Sequence, residues 1–124
     1  MKRILILLLS VLSFELMAAK PSCSSNHGGY CSYKGPVKHI YVNSYNLILI
    51  YFDTPLDLSE ASVAGFTPTK GPAAALLITD QNRDFANLLY STALAAQASK
   101  RNISIQMRGT QSGYLKVDRI WLAE

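Results

Sequence analysis

The chain has 124 residues, a formal net charge of +4, and 49% hydrophobic against 16% charged residues. That length supports one domain with a modest core and excludes a large multidomain assembly. The basic residues are scattered, Lys100-Arg101 being the one adjacent pair after residue 20, which argues against the concentrated basic stripe of a nucleic-acid surface.

The first nineteen residues read as a cleaved secretory leader. Lys2 and Arg3 form a positive start, Ile4 to Phe14 an apolar stretch, and Leu16-Met17-Ala18-Ala19 a small-residue exit with cleavage expected near Ala18 or Ala19. The apolar run is shorter than the roughly 20 residues of a spanning helix, so no stable membrane anchor is expected once it is removed. Loss of Lys2, Arg3 and Glu15 leaves 105 residues carrying ten basic and seven acidic side chains, a net charge of +3. The expected location is periplasmic or secreted.

Cys23 and Cys31 follow closely, and in an oxidising compartment two such neighbours pair. The expected disulfide tethers residues 20–36, a Gly/Ser/Asn-rich N-terminal loop, ahead of a folded domain spanning 37–124. A metal held by Cys23, His27 and Cys31 is the competing reading, but no fourth ligand accompanies them.

Val37 to Val42 alternates as a half-buried strand. Asn43 to Asn46 makes a turn into Leu47 to Phe52, a strand apolar at consecutive positions and therefore expected to be covered on both faces. Asp53-Thr54-Pro55 ends it. Residues 56–72 are ambiguous, with Asp57 and Glu60 at capping-box spacing but Gly65, Pro68, Gly71 and Pro72 favouring loop. Ala73 to Thr79 reads as a third strand.

A helix is expected from about Arg83 to Ser99, capped by Asp80 or Asn82, with Phe85, Leu88, Leu89, Thr92, Ala95 and Ala96 on one face. Its alanines suggest close approach to another backbone, and Lys100-Arg101-Asn102 closes it. Ile103, Ile105 and Met107 alternate with Ser104, Gln106 and Arg108 as a fourth strand. Tyr114 to Leu122 is a fifth, with a bulge near Asp118-Arg119 reconciling its two apolar parities.

The expected class is thus mainly β with one α-helix, in the order β-β-β-α-β-β of a five-stranded barrel like the oligonucleotide/oligosaccharide-binding fold. Leu89-Tyr90-Ser91-Thr92-Ala93-Leu94-Ala95-Ala96-Gln97-Ala98 followed by Ile103-Ser104-Ile105-Gln106, with Gly35-Pro36-Val37-Lys38-His39-Ile40-Tyr41-Val42 upstream, resembles the B subunits of subtilase-cytotoxin-type and pertussis-like AB5 toxins. The resemblance covers most of residues 34 to 108. It implies a ring of subunits that binds sialylated glycans on cell surfaces. The chain departs from the toxin pattern at Lys34, where those subunits use Ser, and at Gln106 and Met107, where they carry aromatic residues.

Catalytic chemistry has little to draw on. His27 and His39 stand in no nucleophile arrangement and Gly28-Gly29 is not a phosphate loop, so a non-enzymatic protein without cofactor is expected. Tyr30, Tyr33, Tyr41 and Tyr45 flank the first strand, each offering an apolar face and a hydroxyl. With Lys34, His39 and Gln106, the tyrosines Tyr33, Tyr41 and Tyr45 form the candidate ligand set. Trp121 reads as core or interface. The expected function is a binding module for cell-surface glycans, acting as a homo-oligomer. The alternative is a small monomeric periplasmic protein that binds or inhibits another exported protein.

Overall fold

The computed structural model describes residues 20–123, so the expected leader lies outside the described residues. Within them the elements run β1 (Ser22–Ser24), β2 (Tyr30–Val42), β3 (Leu47–Phe52), β4 (Ala73–Leu77), α1 (Arg83–Ser99), β5 (Asn102–Gln111) and β6 (Tyr114–Leu122). The protein is mainly β with one α-helix.

Five of the strands close into a ring. β2 pairs with β3, β3 with β4, β4 with β6, β6 with β5, and β5 returns to β2. Closure depends on the thirteen residues of β2. Its first part, Cys31 to Pro36, lies antiparallel to β5, and its last part, Val37 to Val42, lies antiparallel to β3. A register shift between Val37 and His39 lets one strand serve both neighbours, since a bulge bends the strand it sits in. The weakest seam is the parallel β4–β6 pairing, made by Ala74 opposite Leu115 and Ala75 opposite Lys116.

Strand structure begins earlier than the alternation of Val37 to Val42 indicates. In β2 the side chains of Cys31, Tyr33 and Val37 are buried while Lys34 and Lys38 are exposed. Cys, Tyr and Gly at the inward positions hide this alternation from an aliphatic pattern. β1 pairs with the start of β2, and Cys23 lies directly opposite Cys31 with the two sulfurs bonded at 2.10 Å. The segment expected as a tethered loop is therefore a small hairpin. Closing so short a loop is worth about 2.5 kcal/mol on the chain-entropy account. With both thiols in the disulfide, neither is free to ligate a metal.

Glycine is required inside this hairpin. Gly29 has φ +89°, and a Cβ there would stand 2.1 Å from the Ala64 carbonyl oxygen on the 3-10 turn Ala61–Ala64. Any side chain would push the hairpin off that turn.

The core fills the ring with Tyr33, Val37, Ile48, Ile50, Phe52, Ala74, Leu76, Ile103, Ile105, Met107, Leu115 and Val117. The helix α1, whose bounds coincide with the expected ones, packs on this core against β2, β5 and β6. Its buried face differs, however: Ala86, Leu89, Ala93 and Ala96 point inward, and Leu88 is 67% exposed. The spacing of three, four and three residues makes a stripe in which three of four members are alanine. Small residues on this stripe let the helix backbone approach the strands closely, and Leu89 is its one large inward side chain. Of the expected face, Leu89 and Ala96 are buried and Phe85 packs against the core, whereas Leu88 and Ala95 are exposed.

At its start, Asn82 makes no side-chain cap. Its amide instead donates to the Leu77 carbonyl at 2.8 Å, and its side-chain oxygen accepts from the Thr79 amide at 2.7 Å, binding the end of β4 to the helix. At the far end the left-handed cap falls on Lys100 (φ 55°), and Asn102 opens β5.

The outer face of β3 is covered without a further layer. Leu49, Ala73 and Ala75 are buried beneath Leu47, Tyr51 and Tyr114 from their own and neighbouring strands. In β6 the register passes from Arg119 opposite Gln106 to Val117 opposite Met107, leaving Asp118 as the extra residue that the two apolar parities require. No helix among the described residues is long and apolar enough to cross a membrane.

Candidate functional site

The alternation of β2 and β5 puts their polar residues on one outward surface, and the register aligns them in rows. Ser22 lies opposite Ser32, Ser32 opposite Gln106, and Gln106 opposite Arg119. One step along, Lys34 lies opposite Ser104, and Ser104 opposite Trp121. Four strands thus form a floor of hydroxyl, amide and cationic groups with one indole at its side.

A groove of about 400 Å³ opens on this floor, lined by Lys20, Ser22, Ser32, Lys34, Ser104 and Trp121 with the edges of Tyr33 and Ile105 beneath. Trp121, the chain's single tryptophan, is 47% exposed there. An indole fixed on a strand beside several donors and acceptors suits a ligand with an apolar face and a rim of hydroxyls. Lys20 and Lys34 give the groove a positive bias.

Next to it is a second cup of about 410 Å³, lined by His27, Tyr30, Gln106, Arg108 and Arg119. The hairpin holds one wall. Arg108 Nη1 donates to the carbonyls of His27 and Gly29, and its guanidinium lies 5.5 Å from the centroid of the Tyr30 ring. Asp118, the bulge residue, receives Arg108 Nε at 3.3 Å and Arg119 Nε at 3.7 Å on the same oxygen. The Gln106 side-chain oxygen is buried without a hydrogen-bond partner.

The expected ligand residues are distributed over four places. Lys34 and Gln106 sit on the grooved face, in adjacent rows. Tyr33 is inside the ring, 7% exposed, with its ring edge-on to Phe52 at 4.6 Å, so it acts as core and lends the groove only an edge. His39 and Tyr41 share the outward face of the far part of β2, where His39 stacks on Tyr51 at 4.3 Å and Tyr41 lies opposite Leu49. Tyr45 is 83% exposed at the tip of the β2–β3 turn, which Asn43 Oδ1 organises by accepting from the amides of Tyr45 and Leu47. Trp121, Ser32, Ser104 and Arg119 line the two hollows beside Lys34 and Gln106 without having been in the expected ligand set. The signal for Ser32, Ser104 and Arg119 was the polar half of each strand's alternation, but only the register brings those halves together.

Two hydroxyls are held above the usual tyrosine range near 10. Burial raises Tyr33, assisted by the Asp53 carboxylate, and burial also raises Tyr51, assisted by Tyr114 and Tyr41. An acid whose folded pKa is raised binds its proton more tightly when folded. Its stabilising contribution is therefore complete below pH about 10 and is lost as pH climbs from there through the raised value. Absorbance at 295 nm should show Tyr33 and Tyr51 ionising above the usual tyrosine range, with stability falling over the same interval. A Tyr33→Phe variant that leaves the late part of the folded protein's titration unchanged would contradict the placement of Tyr33.

Comparison with family models, with curated proteins and with solved structures gives no match. The functional reading therefore rests on the chain's own residues.

Proposed function

We propose that the chain is an exported, non-enzymatic binding module whose ring follows the oligonucleotide/oligosaccharide-binding barrel, and that the groove beside Trp121 holds a saccharide of a cell surface. The strand order suits that fold: counting β2 as the first strand of the ring, the helix falls between the third and fourth, and the first pairs with both the second and the fourth. The same reading is what the resemblance of residues 34 to 108 to toxin B subunits implies. Fold alone does not select a ligand, so the groove carries the proposal.

The single observation behind it is a half-exposed indole beside the rows Lys34–Ser104 and Ser32–Gln106. A pyranose stacks its C–H face on such a ring and exchanges hydrogen bonds with the hydroxyl, amide and ammonium groups around it. Strands hold these groups in fixed register, which reduces the ordering cost of binding. The lysines favour saccharides carrying negative charge.

The outer face of β3 and β4 supports self-association or an exported protein partner. Tyr41 is 46% exposed there, opposite Leu49 and near Tyr51. Aromatic residues over an apolar base are enriched at protein interfaces.

A glycan array probed with the mature chain, together with its elution volume on a sizing column, tests the proposal. Discrete saccharide signals from an oligomeric species are expected. Monomer elution with a blank array would remove the glycan reading and leave the small monomeric protein that binds or inhibits another exported protein.

A further inference from the structure

We infer that the cup between the disulfide-tied hairpin and β5–β6 is an oxyanion subsite, which takes a sulfate or phosphate ester carried by the ligand of the neighbouring groove. The inference deepens the saccharide reading and rests on it for the identity of the carrier, whereas the anion chemistry stands on the cup itself.

The cup has two guanidinium groups against one carboxylate. Asp118 engages both arginines through a single oxygen, at 3.3 Å from Arg108 and 3.7 Å from Arg119. Arg108 is committed to structure, since its remaining contacts are to the His27 and Gly29 carbonyls. Arg119 is held only by the longer contact, with its side chain 66% exposed. It is the cation left to meet an incoming anion, while Arg108 adds a fixed positive charge behind it.

The remaining lining groups converge from separate segments. His27 comes from the hairpin turn, Tyr30 from the start of β2, and Gln106 from β5. Donors arriving from the hairpin, β2, β5 and β6 match the three outward oxygens of a tetrahedral ester better than the two coplanar oxygens of a carboxylate, which favour one arginine fork. The buried Gln106 side chain contributes here as well. Its oxygen is the buried, unpartnered atom, which leaves its NH2 as the end that donates to an anion in the cup. Gln106 and Ser32 face each other across β2 and β5, so the cup and the Trp121 groove are consecutive along one surface. A saccharide lying on the rows reaches the cup with its next substituent.

The test titrates the isotope-labelled mature chain with sodium sulfate, sodium phosphate and sodium glucuronate, each matched in ionic strength with sodium chloride, while backbone amide resonances are followed. Saturable shifts at Tyr30, Gln106, Arg108 and Arg119 are expected with sulfate or phosphate, and the tighter of the two identifies the ester. Arg119→Gln should weaken that binding about tenfold, the loss of one charge-assisted contact. Lys116→Gln, which removes an equal charge outside the cup, should leave it unchanged. Glucuronate binding as tightly as the tetrahedral ions would overturn the inference, as would an absence of saturable shifts or equal weakening by both variants. A neutral oligosaccharide titrated separately reports on the Trp121 groove, so failure of the saccharide reading is distinguishable from failure of the anion subsite.

Discussion

Leu89→Ala is expected to lower the free energy of unfolding by about 3 kcal/mol, whereas Leu88→Ala should change it by less than about 0.5 kcal/mol. Leu89 is fully buried, and its neighbours along the stripe are Ala86, Ala93 and Ala96. Alanine has no side chain beyond Cβ to move into the vacated space, and the strands beneath are fixed by ring closure. The cavity therefore stays open, and its cost adds to the lost transfer free energy. Leu88 is one residue away but 67% exposed. Chemical denaturation of the two variants measures the difference directly. Equal losses would mean that the helix is rotated from the face described above.

This pair of leucines also marks how far the sequence could be read. The bounds of α1 were legible because caps and composition act locally. The buried face was legible in part: Leu89, Ala96 and Phe85 pack inward as expected, but the weight of Leu88 hid Ala86 and Ala93. β3 and β6 were legible from apolar alternation and length, including the bulge that Asp118 fills. The first half of β2 was hidden because Cys31, Tyr33 and Gly35 occupy its inward positions. The same cause moved Tyr33 from the candidate ligand set into the core.

The site was less legible than the fold. Lys34 and Gln106 entered the candidate set as departures from a resembled pattern, and the register then placed them on one surface. Trp121, near the end of the chain, reads from sequence as core or interface. Its exposure follows from the β6 bulge, which reverses the strand's parity after Val117 and turns Arg119 and Trp121 outward. A residue eighty-seven positions from Lys34 joins it through two strand pairings, and nothing in local sequence encodes that meeting.

Trp121→Ala should weaken saccharide binding by about 30-fold, the loss typical of a central aromatic anchor. Its effect on stability should be small, because nearly half of its surface is already in water. The combination is diagnostic. A residue serving chiefly as packing would lose stability and binding together, while a ligand platform loses binding alone. Thermal denaturation and binding measured on the same preparation separate the two.

Because Trp121 is the chain's single tryptophan, its fluorescence reports from the groove and from nowhere else. The most direct measurement is a titration of the mature chain with the saccharide that the array selects, following Trp121 emission and its quenching by acrylamide. Saturable change in emission, with protection from acrylamide at the same midpoint as binding, is the predicted result. Binding of that saccharide with Trp121 emission and quenching unchanged would place the ligand elsewhere and contradict the account.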